Sequence, residues 1–371
     1  MNEPIRILQV FGIMNQGGAE SMIMNIYRHI DREKIQFDFI ENENDGAFYD
    51  EEIRSLGGRI YHCPCFTGKN YFQFRKWWKT FFDVHREYPV VHGHIGRTAA
   101  IYLKEAKNHG IVTIAHSHSV FKKSPTRFLY KLYSYPIKYT GDYLFMCSKQ
   151  AGIDRYGKQA SSDPDRAFFI PNAINTESFR FSEKVRKSKR KELGIRDDEY
   201  VIGHVGRFVD VKNHSFLLDV FKRVAESNSS SKLLLVGDGQ LHHKIEEKVN
   251  SLGIMEKTII AGNRSDVNEL LSAMDVLVFP SKYEGLPVTL VEAQCNGLPC
   301  VISDAVPEDS ILIKDLIQIR SLNDDPSVWA DAALHCNRIE RSVCADKIKE
   351  AGFDIEKNAK WLEEFYLEKA K

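Results

Sequence analysis

Two glutamates eight residues apart, Glu284 and Glu292, frame the segment SKYEGLPVTLVEAQCNGLP, and their spacing is the most specific chemical signal in the chain. If a helix begins near Pro287, whose fixed φ suits a first turn, the amides of Gly285, Leu286 and Val288 are free to meet an anion, which the helix dipole favours there. A diphosphate fits such a cradle. Glu292, roughly one and a half turns into the helix, can accept paired hydrogen bonds from a ribose diol, and Glu284, nearer the anion, from the hydroxyls of an attached sugar. An isolated pair of glutamates is usually just solvated. This one follows an apolar run, DVLVFPS, at what should be a strand's C-terminal end, where open α/β sheets bind ligands.

Other residues could share that anion. In HVGRFVDVKNH, Arg207 follows a strand-like run and Lys212 opens the next helix-like stretch, so both cations can converge on a leaving pyrophosphate. In NQGGAES, Gly17 and Gly18 leave room for backbone to approach a ligand and Glu20 can serve the helix start, but the spacing of a dinucleotide fingerprint is missing. In TIAHSHS, His116 and His118 stand at alternate positions and face one way if the chain stays extended; a neutral imidazole there can hydrogen-bond sugar or phosphate oxygens. Two histidines without a carboxylate or thiol partner make a thin metal set. The Asp-x-Asp pair Asp163 and Asp165 lies in a polar loop before a strand rather than after one and reads as a turn, as does VGDGQL. No metal or other cofactor is therefore expected; Arg207, Lys212 and helix amides supply the charge.

The elements that must hold these residues are strands alternating with helices. Strand-like runs near 6–11, 90–94, 112–116, 143–147, 201–205, 233–236, 276–279 and 300–303 are each followed by a turn and an amphipathic stretch, the pattern of parallel sheets covered on both faces. The opening repeats: RILQVFG leads into SMIMNIYRHI, and VIGHVGR into HSFLLDVFKRV, half a chain later. At 371 residues the chain is long for one core and suits two domains. The charge-dense stretch after PNAIN reads as a linker with a short surface helix, which puts domains at 1–175 and 176–352. Residues 353–371 show helical spacing of Ile355, Ala359, Leu362, Phe365 and Tyr366, as expected for a terminal amphipathic helix.

Composition narrows the function classes. The net charge is zero, with Lys and Arg in excess by five in 1–175 and in deficit by five thereafter, which argues against nucleic acid as a partner. No apolar run approaches the length of a spanning helix and the N-terminus lacks the features of a signal peptide, so a cytoplasmic protein is expected. The seven cysteines, mostly in apolar contexts, read as reduced core thiols. Two segments, FTGKNYFQFRKWWKTFF and VFKKSPTRFLYKLYSYPIKYT, interleave basic and aromatic residues, Lys122, Lys123, Arg127 and Lys131 among them. They suit peripheral contact with the inner membrane surface or a lipid diphosphate, and equally an amphipathic pair covering the sheet.

Taken in order over nearly the whole chain, QGGAE, AHSH, IPNAIN, VGRFVDVKNH and EGLPVTLVEA resemble family four of the GT-B-fold glycosyltransferases. CSKQAG, VIGHVGRF, GLPCVISD and a late Trp-Ala pair further resemble the branch that builds capsular polysaccharides and exopolysaccharides. The resemblance implies an α/β fold of two Rossmann-like doubly wound domains facing across a cleft, with a C-terminal crossover helix packing back on the N-terminal domain. It implies retaining transfer of a hexose or N-acetylhexosamine from a nucleotide diphosphate sugar, expected to be a UDP-sugar, to a lipid-linked or oligosaccharide acceptor. By the same resemblance, Glu292 holds ribose, Glu284 the sugar, Arg207 and Lys212 the diphosphate, and Gly262, Asn263 and Arg264 lie by the base. Gly285, Leu286, Pro287 and Val288 line the donor; His116, Gly17 and Gly18 close over the sugar; Asn172 of IPNAIN joins the donor-binding set. The family's frequent glycine after Lys212 is Asn213 here, and IPNAIN replaces the commoner N-G-V-D, which bears on fine donor geometry. A nucleotide-sugar 2-epimerase of the same architecture, or a non-catalytic nucleotide-sugar-binding partner of another transferase, are the alternatives; the first needs acid/base carboxylates at the sugar, and the second would tolerate loss of Glu284, Arg207 or Lys212.

Overall fold

The computed structural model describes residues 3–15, 17–42, 46–118, 135–337 and 339–371. They form two compact units: Met1–Ala173 together with Ile355–Lys371, and Ile174–Asp354.

The first unit is built on a seven-stranded sheet of β1 (Ile5–Val10), β2 (Ile35–Glu41), β3 (Ile60–His62), β4 (Val90–Gly93), β5 (Val112–Ser117), β6 (Tyr143–Met146) and β7 (Ala167–Phe169). Its order is β3-β2-β1-β4-β5-β6-β7 and every pairing is parallel. Successive strand residues point to opposite faces, so Ile7, Phe37 and Ile114 join one core and Leu8, Ile40 and Ala115 the other. Helices Gly18–His29 and Ile355–Lys369 close the first face, with Ile23, Ile26, Leu362 and Phe365. Helices Tyr71–Val84 and Ala99–Asn108 close the second, with Trp78, Phe82 and Tyr102.

The second unit repeats the scheme with β8 (Tyr200–Val205), β9 (Ser231–Val236), β10 (Thr258–Ile260), β11 (Val276–Phe279), β12 (Cys300–Ser303) and β13 (Ile317–Arg320), in the order β10-β9-β8-β11-β12-β13, all parallel. Both sheets reverse direction once, between β1 and β4 and between β8 and β11. A reversal opens a crevice at the strands' C-terminal ends because the flanking loops leave in opposite directions.

Five strands, β2, β3, β7, β10 and β13, are absent from the sequence reading. In β2 the apolar run is interrupted by Asp38, a fully buried carboxylate held by Arg6 at 2.6 Å and by the Tyr88 hydroxyl at 2.8 Å. The other four are short edge or near-edge strands. The boundaries also shift by two residues. Ile174 bridges to Asp354, its amide donates to the Phe353 carbonyl, and Thr176 donates to the Asp354 carboxylate at 2.5 Å, which stitches 174–175 and 353–354 into the second unit. Nor is the charged stretch after residue 176 a loose linker. Ser182 caps the helix Glu183–Glu192, whose Arg190 is buried against the Ala273 carbonyl and Asp275, and whose Lys189 meets Asp266.

The terminal helix buries the five residues its spacing singles out, Ile355, Ala359, Leu362, Phe365 and Tyr366. Asp163 accepts from the Asp165 amide within a turn, and all seven cysteines are free thiols. The first basic aromatic segment supplies the helix Tyr71–Val84, which buries Phe74, Trp78, Phe81 and Phe82 and leaves Phe72 83% exposed. Most of the second, including Lys122, Lys123, Arg127 and Lys131, lies outside the described residues. Among the described residues no helix is long and apolar enough to cross a membrane.

Candidate functional site

In the second unit the predicted donor residues gather at the reversal between β8 and β11. After β8 the chain passes through Gly206 and the exposed Arg207 into a short turn, Asp210–Lys212, then into the helix His214–Ser227. The turn closes through Asn213, which sits in the left-handed region at φ 58° and is the one described non-glycine residue with positive φ. A glycine at this position would adopt that backbone without strain, and asparagine is among the side chains that best tolerate it. The turn aims Lys212 at the far side of the reversal. Its Nζ lies 2.7 Å from Glu284 Oε1 and 4.8 Å above the Phe279 ring, with both charged side chains largely shielded from solvent. Lys212 is therefore not a free cation: Glu284 neutralises it in part, and an ammonium has further N–H donors to offer an anion. Arg207, by contrast, has no ion pair among the described residues.

Glu284 opens the Gly-Leu-Pro turn. The helix it leads into spans Val288–Cys295, with Pro287 as its N-cap residue and no side-chain cap. Among the described residues nothing takes up the amides of Gly285, Leu286 and Val288, so three N–H groups and the positive end of a helix follow directly on Glu284, the partner of Lys212. Glu292, one turn on, is partly buried with no hydrogen bond or ion pair to its carboxyl among the described residues, and desolvation pushes it up to about 7. A carboxylate desolvated and left unpartnered is costly unless a ligand supplies hydroxyl donors.

Gly237 is a residue whose role only the structure shows. VGDGQL reads as a plain turn, but Gly237 adopts φ 134°, its amide donates to the Gly262 carbonyl at 2.9 Å, and a Cβ there would strike the Gly206 carbonyl oxygen next to Arg207. It lets three strand ends approach closely. Gly237→Ala is expected to cost about 2 kcal/mol or more through strain and overlap, read in a thermal melt as a fall of roughly 4–8 °C; an unchanged melt would show that the close approach is not needed. At Gly262 itself φ is 68°. Asn263 is exposed, whereas Arg264 is committed to Asp266 at 2.6 Å and to Glu192 at 2.8 Å. The Arg264 guanidinium is thus tied into an ion-pair network that shapes the turn.

In the first unit Gly17 and Gly18 open the helix Gly18–His29, and a Cβ on Gly17 would collide with the Glu20 carboxylate folded back over it. Asn172 lies beside them, its Nδ2 3.5 Å from the Gly18 carbonyl and its Oδ1 without a partner among the described residues. His116 is 3% exposed at the end of β5, with its ring 3.9 Å from that of His118. Facing them are His92 of β4 and His94 just after it, which are absent from the sequence reading although VHGHIGR repeats the alternation of AHSHS. His92 meets His116 at 3.1 Å and His94 meets His118 at 2.7 Å. Among the described residues His92, His94 and His116 form the one group with metal-binding geometry, their ligand atoms within 4.8 Å of one another. Both ring nitrogens of His92 and of His94 are, however, engaged in hydrogen bonds.

Two doubly wound units, one of them with Lys212, Arg207 and a helix start at the reversal of its strand order, are the architecture of a GT-B-type enzyme, and comparison with known proteins gives the family. The family model described as "Glycosyltransferase Family 4" matches residues 16–178, and that described as "Glycosyl transferases group 1" matches residues 185–330. EpsF of Bacillus subtilis (strain 168), named as a glycosyltransferase, is 35% identical over 361 residues, covering 95% of this chain and 94% of that one. The UDP-Gal:alpha-D-GlcNAc-diphosphoundecaprenol alpha-1,3-galactosyltransferase of Escherichia coli is 27% identical, covering 76% of each. Among solved structures, Anabaena HepE in complex with UDP superposes with a TM-score of 0.77 at 15% identity, over 98% of this chain and 100% of that one, which shows a shared fold. The chain belongs to glycosyltransferase family 4 and has the GT-B fold.

Proposed function

We propose that this glycosyltransferase moves a hexose or N-acetylhexosamine, with retention and without a metal, from a UDP-sugar to a lipid-linked or saccharide acceptor in the assembly of an extracellular polysaccharide. The observation that carries the reading is the convergence at one sheet reversal of Arg207, the Lys212–Glu284 pair, three free amides and the unpartnered Glu292. Arg207, Lys212 and the amides receive the diphosphate and stabilise the charge that grows on it as the glycosidic bond breaks; Glu284 holds sugar hydroxyls and Glu292 the ribose. The departing phosphate takes the acceptor hydroxyl's proton on the same face of the sugar, so the protein contributes positioning and electrostatics rather than a nucleophile.

The related structures support the donor: HepE has been solved with UDP and with UDP-glucose. The E. coli relative, by its name, uses UDP-Gal and an undecaprenol-linked acceptor, and CapH of Staphylococcus aureus, 21% identical over 98% of this chain, is named for capsular polysaccharide biosynthesis. For the acceptor, the first unit offers a groove of about 710 Å³ lined by Phe66, Tyr71, Ile101 and Tyr139 together with Arg97 and Lys104. Apolar walls with cations and no carboxylate suit a lipid diphosphate, and would put the enzyme at the cytoplasmic face of a membrane.

The test is a screen of UDP- and GDP-sugars for thermal stabilisation and for slow donor hydrolysis, in buffer with and without EDTA. A UDP-sugar that stabilises the chain regardless of EDTA and yields a product of unchanged anomeric configuration is expected. Release of an epimerised sugar without acceptor, or dependence on a divalent cation, would overturn the reading.

A further inference from the structure

Two hydrogen-bonded chains leave Gln9, at the end of β1, and their protons can be placed atom by atom. The Gln9 carbonyl oxygen can only accept, so His94, whose Nε2 is 2.9 Å away, carries its proton on that nitrogen. Burial holds His94 well below the usual histidine range, so the ring is neutral and Nδ1 is a lone pair. His118 Nε2, 2.7 Å from it, must donate. Burial and Arg155 push His118 down to about 3, which leaves a lone pair on its Nδ1, an atom without a partner among the described residues.

On the other side the Gln9 amide donates to the Tyr366 hydroxyl at 3.2 Å, and that hydroxyl donates to His92 Nδ1 at 2.6 Å. Neutral His92 then donates through Nε2 to His116 Nδ1, 3.1 Å away. His116 is left with its proton on Nε2, again an atom without a partner among the described residues. Turning the Gln9 amide over would reverse every bond in both chains.

We infer that Gln9 and Tyr366 are positioning residues that lock His92, His94, His116 and His118 in one tautomer, so that His116 Nε2–H and His118 Nδ1 offer a ligand one donor and one acceptor from rings 3.9 Å apart. The matching chemistry is a hydroxyl, which both donates and accepts; on the glycosyl-transfer reading, on which this part rests, it belongs to a substrate sugar. Tyr366 gives the C-terminal helix a second task beyond packing: it holds the first unit's ligand face in its proton pattern.

The test uses the full chain labelled with ¹⁵N-histidine, without ligand, near neutral pH. Long-range proton–nitrogen correlation separates the two tautomers, and all four histidines are expected in the Nε2–H form. Tyr366→Phe should release His92 and His116 into mixed tautomers while His94 and His118 keep theirs, and should lower kcat/KM for the donor about fivefold, the worth of one neutral hydrogen bond. Nδ1–H signals, an imidazolium, tight one-to-one Zn²⁺ binding that abolishes the four resonances, or a Tyr366→Phe spectrum unchanged at His92 and His116 would each overturn the inference. If Tyr366→Phe does not fold, the parent spectrum still decides the tautomers. No donor binding alongside four Nε2–H signals would instead sink the functional reading and leave the ladder standing.

Discussion

Arg207→Ala is expected to lower kcat/KM at least about thirtyfold, equivalent to ~2 kcal/mol of lost transition-state stabilisation, while the melting temperature moves by only about 1–2 °C, as for other exposed substitutions. The contrast follows from where the side chain sits. Arg207 is exposed and has no ion pair among the described residues, so the folded protein gains little from it, and its charge is available to a leaving diphosphate. Lys212→Ala should lose at least as much activity but also some stability, because it strips the shielded Glu284 of its partner at 2.7 Å. A double-mutant cycle over Lys212 and Glu284 should accordingly be non-additive, whereas Arg207 combined with Glu284 should come closer to additive. Near-parental turnover in both Arg207→Ala and Lys212→Ala would remove the diphosphate from this corner of the fold.

Glu292→Gln should weaken donor binding by about tenfold or more, since an amide replaces one of two acceptor oxygens with a donor. It should also flatten the pH dependence. Burial raises the carboxyl to about 7 in the folded chain, while an unfolded glutamate titrates near ~4.3. Between those limits the folded state holds a proton that the unfolded state has lost, so stability is greatest below the lower limit and falls as pH rises through about 7. On the proposed reading donor affinity runs the other way, increasing with pH through the same window, because the ionised carboxylate is the form that would accept ribose hydroxyls. In Glu292→Gln both slopes should vanish, and the variant should be at least as stable as the parent at pH 8, where the parent buries an unpaired charge. Calorimetric titration of UDP across pH 5.5–8 with melts at each pH checks both signs together; a parental slope retained in Glu292→Gln would assign the titration to another group.

Much of the second unit's candidate site was legible in the chain because its parts are local. Glu284, the Gly-Leu-Pro turn and Glu292 lie within one strand–turn–helix unit, and Arg207 and Lys212 within another, so strand ends and helix starts place each group without reference to the rest of the fold. The five buried positions of the terminal helix were legible for the same reason: a 3.6-residue period is a property of the segment alone. Even the replacement of glycine by Asn213 has a local explanation, a left-handed turn that asparagine tolerates.

The tertiary structure alone decided which local pieces become neighbours. Parallel pairing of β1 with β4 and of β4 with β5 brings Gln9, His92, His94, His116 and His118 to one corner, and the return of the terminal helix adds Tyr366 from the far end of the chain. Likewise, the reversal between β8 and β11 closes Lys212 onto Glu284 across 72 positions. Whether Gly237 is a plain turn or an indispensable close approach depends on where the Gly206 carbonyl lies, and Arg264's commitment to Glu192 on where an earlier helix docks. Sequence by itself determined the chemistry each segment could offer and the class of sheet that would carry it, since periodicity, turn residues and charge are local quantities. Strand order, and with it the partner of every buried polar group, was settled only by how two doubly covered sheets bury their faces, a balance summed over the whole unit that no single segment encodes.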